Sequence, residues 1–295
     1  MKSRINLTQI AFLSFFFSLL MASSCSKENS RSGTDDEQEV TASKVSSESD
    51  GQAELIFNGL FDDAMGVNDE VGMSGTGVFG RINACPTVTV IHLNPPAVFP
   101  VRVVLDFGNP GCTGNDGHLR SGRIITEYTN RLLYPGAIAT TTFDGFYFDS
   151  IHVEGIHKIA NTSSGTTNRQ FTVTVRDAKL TRSNGDYIKW KSDKVVSQIE
   201  GLITADFRDD IFSITGSAEG QVKRGNLLVG WTSSIREPLI KKFICRWIVK
   251  GIIRTVRINA IPNSPWIAEL NFGNGACDNL AVITINGVPH QITLP

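Results

Sequence analysis

The sequence lacks an apolar stretch long enough to cross a bilayer, a zinc-type cysteine spacing and an excess of one charge. The apolar run Ile10–Met21 has 12 residues, whereas a membrane-spanning helix needs about 18 or more. No CxxC or CxxH spacing occurs, which argues against a zinc site. The formal net charge is −1, so composition gives no general case for nucleic-acid binding, and we expect none.

A recognisable catalytic constellation is also missing. No serine stands in a Gly-x-Ser-x-Gly elbow, and no Cys–His or paired-carboxylate arrangement stands out. The segment Gly75-Thr76-Gly77-Val78-Phe79-Gly80 matches the dinucleotide-binding glycine pattern by letter. It lacks the preceding strand and following helix that such a site requires. We therefore expect no cofactor and no metal, and the sequence favours a non-catalytic protein over an enzyme.

The N-terminus has the layout of a secretory signal. A basic segment with Lys2 and Arg4 precedes the apolar run, and the small residues Ala22-Ser23-Ser24 lead directly into Cys25. Because the run ends at a cysteine, it resembles a bacterial lipoprotein signal. The resemblance implies that residues 1–24 are a removed signal peptide and that Cys25 is lipidated and binds the membrane.

Residues 25–52 predict a disordered tether behind that anchor. The segment Ser26–Gln52 has three basic residues, seven acidic residues, many serines and no aromatics. Such a composition buries too little apolar surface to offset the entropy lost on ordering. An acidic, serine-rich segment after the cysteine also resembles lipoproteins of the Bacteroidota. That resemblance implies a lipid-anchored protein of the cell outer membrane, on its periplasmic or its outward-facing side.

Four cysteines remain once Cys25 is assigned to the lipid, and an exported protein can keep them as disulfides. Four cysteines allow three pairings. An internal repeat favours one of them, since Cys85 and Cys245 each precede a strand-like run, a Phe-Gly-Asn segment and a second cysteine, Cys112 or Cys277. We predict the disulfides Cys85–Cys112 and Cys245–Cys277, and two related units at about 72–132 and 220–295.

Most of the chain predicts β structure, after one helix at 53–71. Ile56, Leu60 and Ala64 follow helical spacing there. From about residue 85 the period changes to two, and runs rich in Val, Ile, Thr and Phe alternate with turn signals such as Asn286-Gly287. Strands joined by short loops pair antiparallel. We predict an all-β domain over 53–295, a mainly antiparallel meander closed as a sandwich or half-barrel, with one short N-terminal helix.

Two residue sets invite a metal or acid/base interpretation, and both have a simpler one. Asp62, Asp63, Asp69 and Glu70 lie on one side of the predicted helix, which fits a solvated helix face. His152 and His157 are five residues apart, a spacing that places them on opposite faces of a strand. We favour structural or surface roles for all of them.

The strongest surface signal is basic. Between Gly220 and Ala268 nine basic residues accompany Glu237 alone. On a strand, Arg246 and Lys250 share one face. We predict a cationic surface formed by Lys241, Lys242, Arg246, Lys250 and Arg254. It fits an anionic glycan or lipid phosphates, while a plain solvated face with lysines guarding strand edges is the favoured alternative.

The C-terminal segment resembles a family. Leu270-Asn271-Phe272-Gly273-Asn274-Gly275-Ala276-Cys277-Asp278-Asn279, followed by Ile283-Thr284-Ile285-Asn286-Gly287, is similar to the end of uncharacterised Bacteroidota lipoproteins. The resemblance covers about the last 150 residues and implies no activity. We therefore expect a non-catalytic binding or structural protein of the envelope, with an anionic glycan or an envelope protein as partner. The alternatives are a secreted glycan-active hydrolase and an amphiphile carrier that uses a half-barrel.

Overall fold

The computed structural model describes residues 33–67, 85–114, 117–165, 169–202, 204, 209–258 and 267–294. The chain divides into two compact units, residues 1–38 and 39–295. Of the first unit only residues 33–38 are described, and they are helical. The rest of that helix and all of the described strands belong to the second unit.

The described residues form one helix and fourteen strands. Helix α1 spans Gly33–Val67. The strands are β1 Thr87–His92, β2 Val101–Asp106, β3 Cys112–Thr113, β4 Leu119–Tyr128, β5 Ile138–Phe148, β6 Ile151–Asn161, β7 Gln170–Thr181, β8 Tyr187–Glu200, β9 Ile211–Arg224, β10 Leu227–Lys242, β11 Ile248–Ile258, β12 Ile267–Asn274, β13 Leu280–Ile285 and β14 Val288–Thr293.

The strands form a single antiparallel meander. Each pairs with its neighbour in the sequence, except that β2 pairs with β4 and the short β3 adds to β4. No pairing joins β1 to β14 among the described residues, so the sheet is open. The Asn286-Gly287 turn between β13 and β14 has positive φ at both residues, as predicted. The predicted all-β fold class is confirmed, as one curved sheet rather than two stacked ones.

Helix α1 lies against the concave face of this sheet. Phe57 stacks on Trp190 of β8, Phe61 meets Phe171 of β7 edge to face, and Tyr128 of β4 donates to the carbonyl of Ala64 at 2.9 Å. On the other side, a Cβ at Gly51 would lie 3.2 Å from Leu270 of β12. Strands from both halves of the meander therefore surround the helix and share one hydrophobic core with it.

Glycine bulges help the sheet to curve. Gly155 in β6 and Gly251 in β11 have φ of 126° and 120°, and each marks a shift of register. A Cβ on either would lie under 3.0 Å from the neighbouring strand, so a side chain does not fit. Bulges bend a strand and increase its twist, which suits a sheet that wraps a helix.

The predicted tether is wrong for residues 33–52. These residues are helical, and most of the side chains from Ala42 to Gln52 are buried. The reason is tertiary: acids of this segment pair with arginines and indole N–H groups of the sheet. The helix also begins 20 residues before the predicted start at 53, while its predicted end, 68–71, lies outside the described residues, as do 25–32.

Both predicted disulfides are present. Cys85–Cys112 and Cys245–Cys277 have Cα–Cα distances of 5.9 and 5.8 Å. The Phe-Gly-Asn repeat also has a shared local structure: the side-chain oxygens Oδ1 of Asp106 and Asn271 accept from the backbone N–H of Gly108 and Gly273, at 2.9 and 2.8 Å. Residues 72–84 of the first predicted unit lie outside the described part of the chain.

Candidate functional site

The interior between helix and sheet contains charges that pair across it. The acids Glu48, Glu54 and Asp62 of α1 meet Arg224, Lys194 and Lys241 at 3.2, 3.0 and 2.8 Å, and Glu39 meets Arg257. Gln52 accepts from Arg182 at 2.8 Å. The cations come from the inner rows of β8, β10 and β11 and from strand ends. The acids of the helix are therefore matched to fixed positions on the sheet.

Asp50 is the most enclosed of these acids. It is 1% exposed, and its Oδ1 accepts from the indole N–H of Trp190 at 2.8 Å and of Trp231 at 3.0 Å. Its Oδ2 has no hydrogen-bond partner among the described residues. The two donors stand on β8 and β10, with β9 between them. Asp50 thus joins two strands of the sheet, β8 and β10, to the middle of the helix.

His157 on β6 is fully buried beside Phe57, with the ring centroids 6.1 Å apart. Neither ring nitrogen has a hydrogen-bond partner among the described residues. Burial lowers the pKa of the imidazole to about 4, because the charged form loses its hydration. The ring is therefore neutral at pH 7. As predicted, His152 occupies the opposite, outer face of the same strand.

Among the described residues, little space is left between α1 and strands β2, β4 and β5. A gap lined by Leu60, Asp63, Ala64 and residues of β2, β4 and β5 has no room for a water molecule. Burial, with a smaller contribution from the charge of Asp63, raises the pKa of Tyr128 at this gap. Helix α1 occupies the position that an amphiphile would need in a carrier. Among the described residues, no group of three or more histidines, cysteines or acids is placed to bind a metal ion.

The four predicted acids do not form one exposed face. Asp62 is paired with Lys241 in the interior, and burial raises the pKa of its carboxyl more than Lys241 lowers it. Asp63 is half-buried at the gap beside Tyr128. Asp69 and Glu70 lie outside the described residues. The expectation of a solvated helix face is wrong for Asp62, because the sheet covers that side of the helix.

The predicted cationic surface does not form as one surface. Lys241 is 1% exposed and donates to the carbonyl of Cys245 as well as pairing with Asp62. Lys242 donates to the carbonyl of Gly275, and the guanidinium of Arg246 lies 4.3 Å from the Trp247 ring. Lys250 and Arg254 remain on the outer face of β11. The prediction fails for Lys241 because strand alternation turns it inward with Leu239.

The structure also joins His118 and Asp149, a pair that the sequence did not indicate. Nδ1 of His118 contacts Oδ2 of Asp149, and Oδ1 of Asp149 accepts from the N–H of Leu119 at 2.9 Å. Asp149 and Ser150 have positive φ in the tight turn between β5 and β6. His118 is 7% exposed and packs on Phe148. The pair therefore fastens this turn to the loop before β4.

A different basic group lies on the outer face, which we call the lysine–tyrosine patch: Lys179, Tyr187, Lys189 and Lys223. The ammonium groups of Lys179 and Lys189 lie 5.8 and 5.7 Å from the centre of the Tyr187 ring. Lys223 is the direct cross-strand neighbour of Tyr187. In the described part of the chain, none of these lysines forms a salt bridge.

Comparison with known proteins adds no family. A scan against protein-family models, a search of curated proteins and a search of solved structures each found no match. Within the described ranges, no helix combines the length and the apolar character needed to span a bilayer. Function is therefore inferred from the residues of this chain.

Proposed function

We propose that the chain is a lipoprotein of the outer membrane, anchored through a lipidated Cys25, with a β-domain that acts as a non-catalytic binding or structural module of the envelope. The observation that carries the proposal is the arrangement of the cysteines. Four of the five are used in two disulfides, and the fifth ends a segment that has the layout of a secretory signal. Disulfides form and persist in exported proteins, which supports the same compartment.

The interior supports a structural rather than a catalytic use of the polar helix. Asp50 is held by two indoles, and Glu54 and Asp62 are each held by a lysine. Side chains bound to one another in this way leave no open pair of carboxylates along this part of the helix. A hydrolase that uses Asp62 as an acid or base would first have to break its contact with Lys241.

The carrier alternative needs the helix to leave the sheet. Departure of α1 would expose Lys194 and Lys241, two inward cations that are almost fully buried. An anionic glycan or an envelope protein binding at the outer face needs no such rearrangement. We therefore favour a partner that binds at the outer face. Nucleic acid is not among the partners that we propose.

Palmitate labelling of growing cells tests the anchor. We expect the wild-type protein to incorporate labelled palmitate and to fractionate with the outer membrane, and the Cys25→Ser variant to incorporate none. The neighbouring Ser26→Ala variant is the matched control and should label like the wild type. Labelling of Cys25→Ser at the wild-type level would contradict the proposal, whatever fraction the protein enters.

A further inference from the structure

The lysine–tyrosine patch is flanked by exposed apolar side chains. Leu228, opposite Lys223 on the next strand, is 57% exposed, and Ile258, opposite Gly230, is 44% exposed. Strand alternation places all of these residues on the outer face, across β7 to β11. Cations, a tyrosine and apolar groups thus lie together on one surface.

Two acids, Asp186 and Glu154, lie beside the patch, and both remain charged neighbours of its lysines. Asp186 accepts from the N–H of Gly225 at 2.8 Å and from Asn184 at 2.9 Å. Glu154, opposite Lys179 in the sheet, lies 3.7 Å from His152. The Lys191–Glu219 pair occupies the next outward-facing positions after Lys189 and Gln221. The N–H of Gly225 chiefly, and the charge of Lys223 more weakly, lower the pKa of the Asp186 carboxyl. Three lysines against these two acids leave the patch with a net positive charge for an external anion.

The patch lies at the end of the sheet that contacts Glu39 and Glu48 of α1. At that end Arg224, next to Lys223, meets Glu48, and Arg257, next to Ile258, meets Glu39. Further along the helix the contacts move away from this end, to Lys194 for Glu54 and to Lys241 for Asp62. Within the second unit, the patch is thus near the start of the helix rather than its end.

The link from Cys25 to the helix is short. Gly33 is eight positions after Cys25, and a fully extended chain of that length spans at most about 29 Å. Without the helix, the acidic segment would have given a link several times longer. A lipid on Cys25 therefore keeps the domain close to the bilayer surface.

We propose that the lysine–tyrosine patch binds the head groups of an anionic lipid surface, with Leu228 and Ile258 at the head-group boundary. The inference rests on the proposed anchor at Cys25. A lysine beside an anionic membrane raises affinity about fivefold, the equivalent of about 1 kcal/mol. Tyrosine suits the interface because its ring is apolar and its hydroxyl is polar. The patch fixes the orientation of a domain that the lipid alone would leave free to rotate.

Amine footprinting of the native lipidated protein tests this proposal. The protein is reconstituted in vesicles of phosphatidylethanolamine with phosphatidylglycerol, in phosphatidylcholine vesicles and in detergent. We expect Lys179, Lys189 and Lys223 to react about fivefold or more slowly on the anionic vesicles. The exposed Lys158 and Lys250 are internal controls and should react alike in all three. High salt should remove the protection, because it screens exposed charges.

Two charge-matched variants sharpen the test. In Lys189→Glu/Lys223→Glu, the remaining Lys179 should label on anionic vesicles as fast as in detergent. In Lys158→Glu/Lys250→Glu, Lys179 should stay protected. Equal labelling of the patch in all three preparations, or protection of Lys250 in its place, would overturn the proposal.

Flotation separates this proposal from the anchor. A protein that floats with both vesicle types but shows no protected patch contradicts the patch alone. One that floats only with anionic vesicles at low salt contradicts the anchor and supports the patch, and one that floats with neither contradicts both. Two results, each without protection on anionic vesicles, would overturn the lipid assignment. Protection of the patch by polygalacturonate in detergent would assign it to a polysaccharide. Protection that grows with protein concentration would assign it to a second copy of the chain.

Discussion

The ammonium nitrogen of Lys241 lies 2.8 Å from Oδ2 of Asp62, in an interior where Lys241 is 1% exposed. Burial still raises the pKa of the Asp62 carboxyl, because the loss of hydration disfavours the charged form more than Lys241 stabilises it. A buried pair of this kind selects one arrangement of helix and sheet more than it stabilises the fold. It sets the position of the end of α1 against β10.

Removing one partner of this pair should lower the free energy of unfolding strongly, whereas removing both partners should lower it little. We expect Lys241→Met to lower the free energy of unfolding by about 3–5 kcal/mol, and Lys241→Met/Asp62→Leu to regain most of it. A carboxyl whose folded pKa is raised stabilises below its unfolded pKa and loses that contribution as pH rises. The single variant should therefore suffer less at about pH 4 than at pH 7. Urea titrations at both pH values check this, and a double variant no more stable than the single one would refute it.

The two indoles at Asp50 should act together. Trp190→Phe and Trp231→Phe each remove one donor, and each should cost about 1–3 kcal/mol. The double variant should cost more than the sum by at least about 0.5 kcal/mol, because only then is the buried carboxylate left without a donor. Chemical denaturation measures all three. The same substitutions in an Asp50→Leu background are the control, and equal costs in both backgrounds would exclude a shared role.

Two glycines provide opposite expectations for the same substitution. A Cβ at Gly220 would lie 2.3 Å from Cζ2 of Trp231, whereas a Cβ at Gly59 in the helix meets nothing within 4 Å. We expect Gly220→Ala to destabilise by about 1–3 kcal/mol and Gly59→Ala to stabilise by up to about 1 kcal/mol. Thermal unfolding of the two variants checks this. A Gly220→Ala protein with wild-type stability would show that Trp231 is not packed against that strand.

His157 should give the domain part of its sensitivity to acid. Its pKa falls from about 6.5 in the unfolded chain to about 4 when folded. The stability due to the neutral ring is therefore complete above about pH 6.5 and is lost as pH falls to about 4, a loss of about 3 kcal/mol.

His157→Leu should flatten the stability curve between those pH values, because leucine has no proton to bind. It should be neutral or stabilising at pH 7, since it removes two ring nitrogens without partners. His152→Leu, on the outer face, is the control and should leave the acid limb unchanged. Denaturation midpoints measured across this pH range check the prediction. A His157→Leu protein that loses as much stability as the wild type as pH falls would count against the buried neutral ring.

Local patterns were sufficient to predict most of the sheet. The two-residue period, the Asn286-Gly287 turn and the spacing of the cysteines reflect neighbours in sequence, and in a meander these are also neighbours in space. Each disulfide closes a local loop, with its cysteines 27 or 32 residues apart. The Phe-Gly-Asn repeat predicted their pairing because each copy turns in the same way.

The helix could not be predicted to its full length because its partners are far away in sequence. Asp50 is 140 and 181 residues from Trp190 and Trp231, and Glu39 is 218 residues from Arg257. Taken alone, a segment rich in serine and acids resembles a solvated tether. The inward cations and indoles of the sheet make its burial favourable. The same strand alternation that turns Lys241 inward removes it from the predicted cationic surface.

The order of these contacts has a consequence for how the domain is made. Helix α1 leaves the ribosome before any strand, yet the partners of Glu39 and Gly51 are Arg257, Leu270 and Leu294, which are made last. Contacts between distant parts of a chain form slowly, so the meander can pair strand by strand while its centre stays unfilled. The domain therefore reaches its native state only after the strands that carry Arg257 and Leu270 have been made.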